Sequence, residues 1–395
     1  MIDFVSIEVT NFRPDILSEN PLLSFSQRIN PRTGELTANE RGNQTLEAEF
    51  GNMRIRIVTN IRTNAHRLFI EGSLHKHHRG NNYEDFGIAD LRESLRLFLA
   101  DVGIEPGGCI IHQIEFGVNI TPPMPTQQFI DQILSHAGKV CELRQYDDTG
   151  YLKRFSRTQF EVKIYDKGFQ YGLPFDVLRV EIKARKMDFL HTKGIHITTV
   201  ADLLNPAIFE RLKCVLLETL QKLIFTDDRI HPATITPKKD SAFFKEATNP
   251  RFWKLLRDNP DRMKFKRHLE RFNAIRCKYA PDDLRGDFLQ TISEKWELLS
   301  RNVTFLPMSE PGSLLRFDHH IVCNNVTSPR RHCRSCGRDI TEQKTGSRFC
   351  SERLYGRDAK RCRNMDSNPR NQRRRKDLRL YPGLTLFPAY LHYGT

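Results

Sequence analysis

One tyrosine stands between two lysines in the run FEVKIYDK at residues 160–167, where Lys163, Tyr165 and Lys167 share a parity. A phenol becomes a nucleophile when its proton is removed, and neighbouring cations favour the phenolate. The pattern therefore predicts a tyrosine nucleophile with a lowered pKa, although an ordinary surface tyrosine on a strand fits the same spacing. Other residues decide between the two. Downstream, LRVEIKARK at 178–186 places Arg179, Glu181 and Lys183 on one parity. Upstream, IIHQIEFGVNI at 110–120 sets Gln113, Glu115, Gly117 and Asn119 on one parity. Glu115 is a metal-ligand candidate there, with Gly117 leaving room for something to approach. LFIEGSLHKHH at 68–78 adds Glu71, Ser73, His75 and His77. A glutamate and two histidines on one strand face suit a divalent cation or a phosphate; a solvated histidine cluster is the plainer alternative.

A second group of chemical residues lies near the C-terminus. Cys333-x2-Cys336-Gly337 is a knuckle that lets two thiolates chelate one zinc ion, and Cys350 and Cys362 follow. Four thiolates close a tetrahedral site, so this zinc is expected to be structural. His332 competes with Cys362 as fourth ligand. Around it, residues 330–379 carry 17 Lys and Arg against 6 Asp and Glu, most of the chain's net charge of +14. Arg363, Arg370, Arg373, Arg374, Arg375 and Lys376 form the densest part, an expected DNA-binding surface.

Strands are the elements that must position the tyrosine. In 160–167, Phe160, Val162 and Ile164 alternate with the polar set; in 178–186, Leu178, Val180 and Ile182 do so. Period-two alternation marks half-buried strands, and the YGLPF connector, with Gly172 and Pro174, suits a hairpin-type loop. Residues 53–57 (MRIRI) and 110–120 alternate likewise. Between them, 88–100 and 126–137 have helical spacing, as does 205–225. The order predicts an α+β fold, a mainly antiparallel sheet covered by helices. Its polar face would gather a nucleophile, carboxylates for a cation and positive charge for a phosphate.

After the linker-like PATITPKKD at 232–240, three helices are expected near 252–256, 263–278 and 284–299, broken at Pro260 and Pro281. The second interleaves basic residues with aromatics. It reads either as a DNA-contacting helix or as a solvated amphipathic one. Nine cysteines without a secretory signal suggest reduced thiols or metal ligands. No apolar run approaches a transmembrane length, so a soluble, cytoplasmic protein is expected, with no membrane partner.

Taken together, QIEFGVN (113–119), KIYDK (163–167) and LRVEIKARK resemble the three strand motifs of the replication initiation factor family. These are the rolling-circle initiators of plasmids and phages, with related conjugative relaxases. FIEGSLHK resembles that family's earlier acidic strand. The resemblance covers roughly residues 50–225. It implies that Tyr165 is the nucleophile, that Glu115 and Glu71 fall on acidic, metal-associated positions, and that Arg179 and Glu181 match the last strand. Lys163 and Lys167 are the lysines of the tyrosine motif. By this resemblance the fold is HUH/Rep-like and the activity is a metal-dependent, site-specific DNA nickase and ligase. It would form a 5′-phosphotyrosine and leave a 3′-OH primer.

Mg²⁺ or Mn²⁺ would be held by Glu115, Glu71, His75, His77 and Glu181, and Zn²⁺ by the cysteines. The partners implied are single-stranded or cruciform origin DNA and a host helicase and polymerase, with a dimer among the assemblies expected. Two departures stand out: Asn119 replaces the second acid of its motif, and Lys76 replaces an apolar residue between the histidines. A non-catalytic zinc-containing DNA-binding regulator and a conjugative relaxase are the alternatives. The domains expected are a catalytic domain at 1–230, a helical domain at 240–302 and a linker at 303–328. A zinc-binding basic module at 329–376 and a tail at 377–395 complete the chain.

Overall fold

A computed structural model describes residues 1–27, 29, 38–39, 41–146, 150–301 and six C-terminal positions, namely 333, 340, 343 and 349–351. The chain divides into two compact units, residues 1–305 and 306–395. Twelve strands are described: β1 (Ile2–Val9), β2 (Ser26–Gln27), β3 (Asn43–Phe50), β4 (Met53–Asn60), β5 (Ala65–Ser73), β6 (Cys109–Ile120), β7 (Ile133–His136), β8 (Glu142–Tyr146), β9 (Gly150–Ser156), β10 (Phe160–Asp166), β11 (Leu178–Ala184) and β12 (Leu223–Phe225). Ten of them form one sheet in the order β2-β3-β4-β5-β1-β6-β11-β10-β9-β8, and the register of every named pair is antiparallel. The α+β expectation holds.

Alternation explains which way each strand faces. Val162 and Ile164 of β10, Val180 and Ile182 of β11, and Phe116 and Val118 of β6 are fully buried on the sheet's apolar face. The helices Ile88–Val102, Ala207–Leu220 and Leu284–Ser300 contribute their own apolar residues to the same core, Phe98, Leu212 and Phe288 among them. Phe116 meets Trp296 edge-on at 6.3 Å, and the Trp296 indole N–H donates to the carbonyl of Phe209 at 3.1 Å. Each such side chain adds about 1.5–3 kcal/mol over its exposed state, which holds the polar face of the sheet rigid from behind.

Several boundaries differ from the pattern-based expectation. The helix expected at 126–137 stops at Asp131. The helix expected at 205–225 runs only from Ala207 to Leu220. The residues left over, Ile133–His136 and Leu223–Phe225, pair as a two-stranded sheet. All seven are buried, and a strand buried on both faces has no alternation to separate it from an adjoining helix. The stretch read as a linker packs instead: Ile235 is buried in a second core with Phe243, Phe244, Trp253 and Phe272. That core belongs to the helices Lys238–Ala247, Pro250–Arg257 and Arg262–Tyr279. Asn249 and Asp261 cap the last two, accepting from the amides of Arg251 and Met263 at 2.9 Å each. The helical section expected as its own domain thus falls within the first unit.

In the second unit, Cys333 and Cys350 are buried with Ile340, and Phe349 packs against them. Cys336, Cys362, His332, the linker at 303–328 and the basic residues Arg363, Arg370, Arg373, Arg374, Arg375 and Lys376 lie outside the described residues.

Candidate active site

Three neighbouring strands set the site by register. Tyr165 on β10 lies opposite Arg179 on β11, which lies opposite Asn119 on β6. The next rung is Lys163–Glu181–Gly117, and the next Glu161–Lys183–Glu115. Because residues paired across an antiparallel ladder face the same side, the sheet brings Tyr165, Lys163, Arg179, Glu181 and Glu115 onto one face, as expected from their parity. Gly117 does leave room, but not for a ligand. A Cβ there would lie 2.0 Å from the carbonyl oxygen of Val180 and 2.6 Å from the Cα of Glu181, so the space belongs to β11 itself.

The charges on this face are linked into a ladder. Lys163 Nζ donates to Glu115 Oε2 at 2.9 Å and to Glu181 Oε1 at 3.0 Å. Lys183 Nζ pairs with Glu115 Oε1 at 2.7 Å. Arg179 donates from Nε to Glu181 Oε2 at 2.9 Å, from Nη1 to Asn119 Oδ1 at 3.3 Å and from Nη2 to Asp3 Oδ2 at 3.4 Å. Asp3 also accepts from Ser73 and, at 2.8 Å, from Asn82 Nδ2. Arg179 and Glu181 are each 2% exposed. Burial alone would raise the pKa of Glu181, but Lys163 and Arg179 hold it well below the carboxylate range. For Glu115, burial and the charge of Glu181 win over its two lysines, and its pKa is raised.

Tyr165 is half-buried at one end of this ladder. Its hydroxyl lies 3.4 Å from Lys167 Nζ, which also sits 5.2 Å from the Tyr165 ring centre and 5.1 Å from that of Tyr171. Here the sequence expectation is corrected. Burial, reinforced by Glu181 and only partly opposed by Arg179, pushes the Tyr165 phenol well above its ordinary pKa. Lys163 cannot compensate, because its ammonium is held between two glutamates. Lys167 is 2% exposed, and burial together with Arg179 lowers its pKa to about 8. The resting pair is thus a neutral phenol beside a lysine able to lose its proton.

Asn119 has a structural reason to be an amide. Its Nδ2 faces the carbonyls of Asn82, Tyr83 and Glu84 at 3.1, 2.9 and 3.3 Å, while its Oδ1 accepts from Arg179. A carboxylate could make the last contact but none of the first three. Asn82 in turn accepts from the hydroxyl of Tyr171 at 2.7 Å, so the segment around residue 82 is tied to both ends of the site.

The five residues expected to hold Mg²⁺ or Mn²⁺ are not gathered into one cation site. His75 and His77 do not continue β5; they lie on a short helix, Leu74–Arg79, capped by Ser73 accepting from the Lys76 amide at 3.0 Å and closed by Gly80 at φ +76°. Ser73 ends the strand because its hydroxyl satisfies a helical amide that the sheet leaves free. His77 packs between Phe50 and Phe98 and contacts the Phe50 carbonyl through Nδ1 at 3.2 Å. Glu71 pairs with Arg56 at 3.5 Å and Arg54 at 3.8 Å. All four oxygens of Glu115 and Glu181 already face a lysine or arginine. Among the described residues, no three His, Cys, Asp or Glu side chains form a group suited to a metal ion.

His75 is the exception in position. It is 2% exposed, stacks on Phe86 at 4.6 Å, and has no hydrogen-bond partner for Nε2 among the described residues. Burial lowers its pKa to about 3, so it is neutral. Asp3 escaped the sequence reading altogether. The alternation of Val5, Ile7 and Val9 marks β1 as a strand, but the register of β1 on β6 shifts between Ile2 and Val5, and parity therefore gives no guide to where Asp3 points.

The fold and site together define an antiparallel α+β domain with a tyrosine–lysine pair at the end of a buried charge ladder. No family model and no curated protein matches the chain. One solved structure, a rolling circle replication initiator protein from Geobacillus stearothermophilus, is similar to it at 12% identity over 63% of this chain and 96% of that chain. The TM-score is 0.33, at which the match assigns no residue of this site a role. Among the described residues, no helix is long and apolar enough to cross a membrane.

Proposed function

We propose that this chain is a tyrosine transesterase that opens and rejoins one strand of origin DNA to start rolling-circle replication. The observation that carries the reading is the Tyr165 hydroxyl 3.4 Å from a lysine whose pKa has fallen to about 8. It stands in a sequence setting that resembles the tyrosine motif of such initiators. Lys167 Nζ takes the phenol proton as Tyr165 Oη attacks a backbone phosphorus. The bond from phosphorus to the 3′ oxygen breaks, the 5′ phosphate stays on the tyrosine, and the 3′ oxygen takes a proton from solvent. Lys163 and Lys183 are held on Glu115 and Glu181, so the cation nearest the phosphate is Lys167 itself, charged once it has taken the phenol proton. Arg179 is a positioning residue, since each of its nitrogens already has a partner. No step runs through a metal ion.

Re-attack by a 3′-OH reverses the reaction and joins the strand. The released 3′-OH would prime a host polymerase, with a helicase opening the duplex, in the cytoplasm of a bacterial host. The regulator reading drew on the missing acid at Asn119, and the three carbonyls facing its amide account for that residue otherwise.

The parent protein, incubated with single-stranded or supercoiled origin-like DNA, is expected to give a covalent protein–DNA adduct on a denaturing gel. Tyr165→Phe should give none. Cleavage by the phenylalanine variant at the parent rate would remove the mechanism.

The second unit is proposed to bind one structural Zn²⁺ through Cys333, Cys336, Cys350 and Cys362 and to add phosphate contacts. The burial of Cys333 beside Cys350 supports this. Atomic absorption should find close to one zinc per chain, falling sharply in Cys333→Ser; zinc-free protein from chelator-free purification would refute it.

A further inference from the structure

Two phenylalanines beside the tyrosine–lysine pair are turned to solvent. Phe169 is 63% exposed and Phe175 is 58% exposed, although they flank a buried network. Neither sits on a loose loop. Asp166 caps the turn after Tyr165 by accepting from the Phe169 amide at 2.9 Å. The amides of Lys167 and Gly168 donate to the Val177 carbonyl at 2.8 and 3.1 Å, and Leu173 N–H donates to Gly168 at 2.9 Å. A Cβ on Gly168 would lie 2.7 Å from the carbonyl oxygen of Phe175, so the two limbs of the loop are in backbone contact. On the far side, Asp176 accepts from the amide and hydroxyl of Thr126 at 3.2 and 2.8 Å. The rings are held out on a fixed frame.

Phe175 also walls a cavity of about 330 Å³, shared with Tyr83, Asn119, Val177 and Lys295, whose ammonium pairs with Asp85 in the same wall at 2.7 Å. That volume is at the small end of ligand sites, which run from roughly 300 Å³ upward. The cavity adjoins the reacting groups through two routes. Asn119 is the last member of the Tyr165–Arg179–Asn119 rung. Tyr83 meets Tyr171 edge-on at 5.0 Å, and Tyr171 lies against Lys167. Thus a strand with its phosphate at Tyr165 has an aromatic-walled cavity and two exposed rings a short way along.

We infer that Phe175, with Tyr83, forms a stacking subsite for an unpaired nucleobase next to the scissile phosphate. The inference rests on the proposed reading of Tyr165 and deepens it by assigning the side chains that hold one base of the strand. Flat π-faces suit unpaired bases, which stack on aromatic side chains without regard to sequence. A paired duplex hides those faces, so the subsite selects melted or extruded DNA.

The test uses the full chain carrying Tyr165→Phe, so that binding is read without cleavage. The probe is a short oligo-dT with a single 2-aminopurine moved stepwise along it. At one position the 2-aminopurine fluorescence is expected to be quenched on binding. Phe175→Leu should remove that quench and weaken binding roughly tenfold, while Phe175→Trp should keep both. The residue is exposed, and an unchanged thermal melt would show that the leucine variant folds. Unchanged affinity and quench in Phe175→Leu would overturn the subsite. So would a change in sedimentation with DNA binding intact, which would make Phe175 a contact between protein chains. The proposed function fails separately: a protein that quenches 2-aminopurine but forms no adduct through Tyr165 keeps the subsite and loses the nuclease.

Discussion

Replacing Lys167 with glutamine is expected to slow strand cleavage by about 10²–10⁴-fold, the usual contribution of a positioned general base. The geometry argues for that role and against a permanently charged one. Lys167 Nζ lies within 3.4 Å of the only hydroxyl that must lose a proton, and it is buried. Burial penalises the ammonium and Arg179 repels it; Glu181 and Asp3 attract it but not enough, and the pKa settles at about 8. Only the neutral amine can accept the phenol proton. The cleavage rate should therefore rise with pH up to about 8 and level off above it. Lys167→Arg separates the two roles cleanly, because arginine keeps the charge and cannot give it up. Single-turnover cleavage of a labelled oligonucleotide across pH measures this. A flat profile in the parent, or an arginine variant as fast as the parent, would mean that Lys167 acts as a fixed cation and that another group takes the proton.

The strands that carry this chemistry were legible because their two faces differ. Val162 and Ile164, or Val180 and Ile182, could only point inward, and parity then placed Tyr165, Lys163, Arg179, Glu181 and Glu115 together. What parity cannot report is the third dimension. It gave Tyr165 a lysine at each side and so predicted a lowered pKa, but Lys163 turns to Glu115 and Glu181, and burial decides the sign. Nor can parity see where a strand stops. His75 and His77 keep the alternation of β5 in sequence, yet Ser73 offers its hydroxyl to the Lys76 amide, and the chain turns into a helix that sends the two rings to different neighbours. Asn119 looked like a lost acid; its reason lies in three carbonyls more than thirty residues upstream, which no local pattern encodes.

Arg179→Met is expected to cost the fold about 3–5 kcal/mol, the usual loss when one member of a buried ion network is removed. The guanidinium is 2% exposed and satisfies Glu181, Asp3 and Asn119 at once. Without it, Asp3 loses the cation that holds its pKa down, and Lys163 alone remains to Glu181. The damage comes from the charges left behind, not from the lost side chain. A second change that removes one of them, Glu181→Leu, should therefore recover part of the loss. Chemical denaturation followed by fluorescence suits the test, because the chain has two tryptophans and both are fully buried, Trp296 against β6 itself.

The same network fixes the acid side of stability. Despite burial, which pushes the other way, Glu181 is held below its ordinary pKa by Lys163 and Arg179, and Asp3 by Arg179. A carboxylate depressed in the folded state stabilises it above the unfolded pKa and loses that contribution as pH falls through the folded value. The parent should thus weaken progressively as pH drops below the ordinary carboxylate range. In Arg179→Met the two acids have less to lose, so the acid slope should be shallower. A variant as stable as the parent at neutral pH, with the same acid slope, would mean that the ladder around Arg179 is not formed as described.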